Sequence, residues 1–67
     1  MKTKYVQDLI KKAKNDKESQ FRLGLLYSCG GFGVTPDSTK AIKWYELSSG
    51  QGHEQAKYKL KWLLKQR

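Results

Sequence analysis

The sequence predicts an all-α fold, four short helices packed as antiparallel α/α hairpins. Three observations predict it. Apolar residues recur at three- and four-residue spacing through every segment, and no segment shows the strict alternation of a half-buried strand. The single proline and most of the six glycines fall between those segments. The chain also resembles itself when shifted by about 37 residues.

Tyr5, Leu9, Ile10 and Ala13 share one face and predict a first helix running to about Lys14. Asn15-Asp16 ends it and starts the next. Asn tolerates the left-handed backbone that closes helices, and Asp accepts from the free N–H groups of a first turn. In the second helix Ser19, Leu23, Leu26 and Tyr27 form one stripe, and Phe21 and Leu25 another. Gly30-Gly31-Phe32-Gly33 breaks that pattern. Thr35-Pro36-Asp37 reads as a helix start, with Thr35 or Asp37 as the cap and Pro36 in the first turn. Ala41, Ile42, Trp44, Tyr45 and Leu47 carry the third helix to Gly50-Gln51-Gly52. Helix four takes the rest, with Ala56, Tyr58, Leu60, Trp62, Leu63 and Leu64 set among lysines.

The internal shift lays Ser19, Phe21, Leu23 and Leu26 onto Ala56, Tyr58, Leu60 and Leu63, so small, aromatic, Leu and Leu fall in register. Asn15 and Gly52, both suited to a left-handed cap, also coincide. A helical period of this length is the mark of an α-solenoid.

Ser19-x-x-x-Leu23-Gly24-x-x-Tyr27, the glycine loop ending in Gly33-Val34, Asp37-x-x-Lys40-Ala41-x-x-Trp44-Tyr45, Gln51-Gly52-His53 and Ala56-x-x-x-Leu60 together resemble a Sel1-like repeat, a relative of the tetratricopeptide repeat. The resemblance covers roughly residues 19–60. It departs from the family pattern in a loop one residue longer, in Ser48 and Ser49 where paired alanines are usual, and in Lys61 where a glycine is expected. It implies a Sel1-like, tetratricopeptide-like solenoid fragment of about one and a half repeats: a capping helix over residues 1–15, a full repeat over 16–51 and a half repeat over 52–67. Gly24 then lacks a side chain because the third helix crosses closely there. Lys61 has no following helix to admit, which makes helix four a solvent-facing end.

At 67 residues the chain is one small domain, too small for a large buried active site. It is 37% hydrophobic and 30% charged with two Trp, four Tyr and two Phe, which is too apolar for a disordered segment. Cys29 is the only cysteine, so no internal disulfide or Cys/His zinc site forms, and a reducing, cytoplasmic setting is expected. The N-terminal stretch lacks a signal-peptide apolar core, and no window approaches the ~18 apolar residues of a membrane span. The net charge is +8, concentrated at the two ends: five lysines lie in residues 1–14, and five basic groups with no acid lie in 57–67. Such ends favour acidic partners, nucleic acid or an anionic membrane.

The glycine loop invites a nucleotide-binding reading, which its context opposes. A phosphate cradle places its glycines after a strand, with Lys-Ser/Thr or a downstream acid. Here a helix precedes and Pro36 follows. The glycines are expected to connect two antiparallel helices, with Phe32 and Val34 plugging the hairpin.

No catalytic site and no cofactor or metal site is expected. His53 sits after the inter-repeat glycine and reads as a cap or spacer, Cys29 as an inert small residue, and the acids are dispersed over caps and exposed faces. A cysteine-rich branch of the resembled family has been linked to penicillin binding, but its cysteines are missing here.

What remains is surface. In the resembled superfamily the first helix of each pair lines a concave groove, which implies Phe21, Leu25 and Ser28 on helix two with Tyr58, Trp62 and Lys65 on helix four. Arg22, Lys57, Lys59 and Lys61 flank them. An aromatic strip with a basic border suits an acidic protein or peptide, because aromatics supply contact energy and lysines steer encounter. The same residues serve equally well to join neighbouring helices, Phe21 packing on Tyr58 and Leu25 on Trp62. The expected function is a non-enzymatic protein–protein interaction module with a weak tendency to self-associate. Two alternatives stand beside it: nucleic-acid binding through the basic ends, and a small inhibitor of the phage or mobile-element kind that docks on a larger complex.

Overall fold

A computed structural model describes residues 3–66 as four helices: α1 (Lys4–Lys12), α2 (Lys17–Cys29), α3 (Ser38–Gly50) and α4 (Glu54–Lys65). The fold is all-α, with each helix packed against the next; α2 and α3 make the central hairpin and α2 meets α4 only marginally. The Cα frame spans 30 × 25 × 14 Å, so the helices bury one side each in a thin core.

Each start has a chemical cause. Thr3, Asp16 and Asp37 sit in extended backbone and accept from the amides of Val6, Glu18 and Lys40, the N-cap arrangement that satisfies orphan donors. Asp16 also accepts from the Ser19 hydroxyl at 2.7 Å, which with the Glu18 amide holds its carboxyl below the usual carboxylate range. The fourth cap is His53, whose Nδ1 accepts from the Ala56 amide at 3.1 Å.

α1 is shorter than its pattern suggested and faces inward differently. It ends at Lys12 with Ala13 as its right-handed cap, and Val6, Leu9 and Ala13 are its buried residues. Tyr5 instead lies outside, tilted against Phe32 with ring centroids 5.1 Å apart. Val6 takes the core place with Leu9 and Ala13, whereas Tyr5, about 100° around the helix from Val6, packs on Phe32.

The loop after α2 is a turn between antiparallel helices, as expected. Gly30, Gly31 and Gly33 have positive φ, and Gly31 and Val34 exchange a pair of backbone hydrogen bonds. Val34 is buried, while Phe32 is exposed rather than plugging the hairpin. The left-handed conformation expected at Asn15 falls on Phe32, the one non-glycine residue with positive φ among those described. Pro36 lies before the Asp37 cap rather than in the first turn of α3, packed toward Gly30.

At Gly24 the close crossing is real. A β-carbon there would lie 2.5 Å from Cδ1 of Tyr45, so only hydrogen fits. On α3 the inward residues are Ala41, Ile42, Tyr45 and Ser48, with Leu47 exposed.

A polar seam ties all four helices together at the N-terminal end of α2. The buried Gln20 amide donates to the Ala13 carbonyl at 2.6 Å and accepts from Gln51 at 2.7 Å. The Ser48 hydroxyl donates to the Lys17 carbonyl at 2.7 Å, a bond that alanine at this position could not make. His53 Nε2 meets Glu18 at 2.9 Å, and its ring stacks on Phe21 with centroids 4.4 Å apart. With Nδ1 accepting, Nε2 carries the proton that is donated to Glu18.

Candidate functional site

Because α2 and α4 both pack on α3 but barely on each other, a groove of about 800 Å³ opens between them. Leu25, Ser28 and Cys29 form its α2 wall, Tyr58, Trp62 and Leu63 its α4 wall, and the Tyr45 ring its floor. Lys59, Lys61 and Lys65 supply its charged groups, and no carboxylate is among its described lining residues. Near the start of α4 a shallower depression shares Leu25, Tyr58 and Lys59 and adds Phe21, Glu54 and Gln55.

Helical spacing explains both walls. Leu25, Ser28 and Cys29 stand at i, i+3 and i+4, as do Tyr58, Lys61 and Trp62. The wall of α4 is unusually open: Tyr58 is 78% and Trp62 58% exposed. Both are therefore available for contact, in contrast to the packing of Phe21 on Tyr58 or Leu25 on Trp62 that would have spent them on joining helices. The floor is neutral. Burial pushes the Tyr45 hydroxyl up to about 12, its hydrogen bond with Ser28 working the other way and Cys29 adding to the rise.

Six of the nine residues expected to bind a partner, Leu25, Tyr58, Lys59, Lys61, Trp62 and Lys65, are brought together here with Ser28. Three are placed otherwise. Phe21 is 7% exposed, held between the His53 ring and Tyr45, and belongs to the core. Arg22 points to the opposite side of α2, because α1 lies there. Its guanidinium is held by Tyr5 and, at 3.7 Å, by Glu18, and these partners, the Tyr5 hydrogen bond first, raise its pKa. It lines a polar cleft between α1 and α2 with Asp8, Lys12 and Asp16. Lys57 is exposed on α4 but does not line the groove.

Cys29 and Tyr45 were missed. Cys29 was legible, since it stands one helical turn after Leu25. Tyr45 was not, because its place in the floor depends on the crossing at Gly24, which brings a side chain of α3 through to the α2 wall.

Among the described residues no group of His, Cys, Asp and Glu is placed to hold a metal ion, and no helix is long and apolar enough to cross a membrane. The arrangement sets apolar and aromatic side chains beside three ammonium groups. Compared with known families, residues 17–53 match the Sel1 repeat model. No curated protein and no solved structure matches the chain.

Proposed function

The chain belongs to the Sel1 repeat family, whose repeats generally serve as protein–protein interaction modules and are typically non-catalytic, and from that premise we propose that it binds an acidic protein or peptide surface in the groove between α2 and α4. One observation supports the reading above the rest: Trp62 stands 58% exposed over an apolar wall whose charged neighbours are all lysines. Leaving a large aromatic in water forgoes burial energy, and a Trp beside an apolar wall recovers it when a partner covers both. The lysines then act mainly on the rate and choice of encounter, because exposed charges attract at a distance but are solvated at contact.

The test is capture of the binding partner with the intact chain, followed by binding measurements with Trp62→Ala and Leu25→Ala. Loss of affinity by folded Trp62→Ala supports the groove. A folded Trp62→Ala chain that binds its partner normally removes it.

A further inference from the structure

We propose that protonation of His53 exchanges its cap on α4 for an ion pair with Glu18 and loosens the first turn of that helix, so that the α4 wall of the groove answers to pH. The exchange is a property of the fold and holds whatever the groove binds. Only its effect on binding rests on the reading above.

The two ring nitrogens carry duties that one proton sets against each other. Nδ1 accepts from the Ala56 amide at 3.1 Å, and Nε2 stands 2.9 Å from the Glu18 carboxylate. A neutral imidazole protonated on Nε2 satisfies both, because one nitrogen accepts while the other donates. An imidazolium donates from both, so its Nδ1–H faces the Ala56 N–H, donor against donor. The bond to Glu18 gains charge assistance by the same step that removes the cap. The Phe21 ring, stacked at 4.4 Å, also receives a cation better than a neutral ring. The imidazolium is therefore held on the α2 side, and the start of α4 is the part that gives way.

The charges around the ring fix the direction. From α2 comes Glu18, whose other carboxylate oxygen lies 3.7 Å from Arg22 while Oε2 meets His53. From α3 come the Ser48 carbonyl, which accepts from the His53 backbone amide at 3.2 Å, and Tyr45, which meets Phe21 and belongs to a residue type neutral throughout the acid range. The first turn of α4 adds Glu54, Lys57 and the positive end of its backbone dipole, which opposes a cation at the cap. In the capped form the Nδ1 lone pair is occupied, and in the loosened form it is free. The loosened form thus binds the proton more tightly, and falling pH shifts the population toward it. The other described helices lack this property. Thr3, Asp16 and Asp37 cap α1, α2 and α3, and a hydroxyl or carboxylate remains an acceptor across the histidine range.

The first turn is joined to the binding surface. Glu54 and Gln55 line the shallower depression together with Phe21, Leu25 and Tyr58, and Ala56 is fully buried, so loosening this turn disturbs the packing beneath Tyr58.

The test is NMR on the intact chain between about pH 8 and pH 5, across the ordinary histidine range. At the alkaline end the ring is expected as the Nε2–H tautomer. As Nδ1 gains its proton, protection of the Ala56 amide against hydrogen exchange, corrected for the intrinsic rate, is expected to fall by about tenfold, while the Glu18 and Lys40 amides under their Asp caps keep theirs. The Tyr58 ring signals should move with the same midpoint, and the His53 ring should keep its contact with Phe21. His53→Asn, a cap that does not titrate, should hold Ala56 and Tyr58 unchanged over the whole range. An Nδ1–H tautomer at the alkaline end, an Ala56 amide or a Tyr58 ring that ignores the ring titration, or the same changes in His53→Asn overturns the proposal. The groove reading is tested apart from this, by Trp62→Ala at the alkaline end of the titration.

Discussion

The Tyr45 ring occupies the space that a β-carbon on Gly24 would need, its Cδ1 lying 2.5 Å from that position. The α2–α3 hairpin closes on this contact, and its counterpart on α4, Lys61, is exposed. Gly24→Ala should therefore cost roughly 1–3 kcal/mol, the range for forcing atoms into a packed site, and Gly24→Lys more. Lys61→Gly should cost about 1 kcal/mol or less, the helix-propensity difference at an exposed position. Urea denaturation of the three variants decides it; equal losses at the two sites would contradict the asymmetry between α2 and α4.

Phe21 and Trp62 should separate stability from binding. Phe21 is core, so Phe21→Ala should destabilise by roughly 3–5 kcal/mol. Trp62→Ala should leave the melting transition nearly unchanged and weaken partner binding by ~2 kcal/mol or more. A stable Phe21→Ala protein with impaired binding would return Phe21 to the docking surface. Affinity for unrelated nucleic acids that falls by about one unit of log-log slope per phosphate contacted would point to a different partner class.

Alkaline pH should unfold the chain through Tyr45. Its folded pKa is about 12, raised by burial, against ~10 unfolded. A raised folded pKa means that this stability is fully present below pH ~10 and is lost as pH climbs through the folded value. The difference amounts to about 2–3 kcal/mol. Tyr45→Phe should flatten the alkaline limb of a stability–pH curve and lower the tyrosinate absorbance that appears with unfolding by the share of one of the four tyrosines. An unchanged alkaline limb would mean that Tyr45 is not the group that limits folding there.

His53 should behave as a cap with an aromatic face. Its Nδ1 accepts from Ala56, and its ring stacks on Phe21 at 4.4 Å. His53→Ala removes both, for about 1–3 kcal/mol in all. His53→Asn keeps an acceptor at the cap and should recover roughly 1 kcal/mol of that. Thermal melts of the pair measure the difference, and equal melting temperatures would leave the cap without energetic weight.

Local chemistry made much of this protein readable in advance. Asp16 and Asp37 mark helix starts because a carboxylate beside free amides is satisfied by its immediate neighbours. Gly24 announced a close crossing because its absent side chain is a fact about volume. Helical spacing puts Tyr58, Lys61, Trp62 and Lys65 on one side of α4, and the resemblance to the repeat family pointed to that side as a groove wall. Orientation around α1 was a different matter. Whether Val6 or Tyr5 faced the core, and whether Arg22 bordered the groove or the α1 cleft, turned on where α1 docks, and an amphipathic pattern with both candidates one residue apart does not decide that. Phe21 was equally undecided, since an aromatic on a second stripe is surface until His53 arrives from the start of α4 to stack on it. The sequence by itself determined the helices, most of their caps and the turn, because these depend on residues within a few positions of one another. Only the tertiary structure decided which side chains were spent on the core and which were left to water, because burial depends on helices brought together from distant parts of the chain.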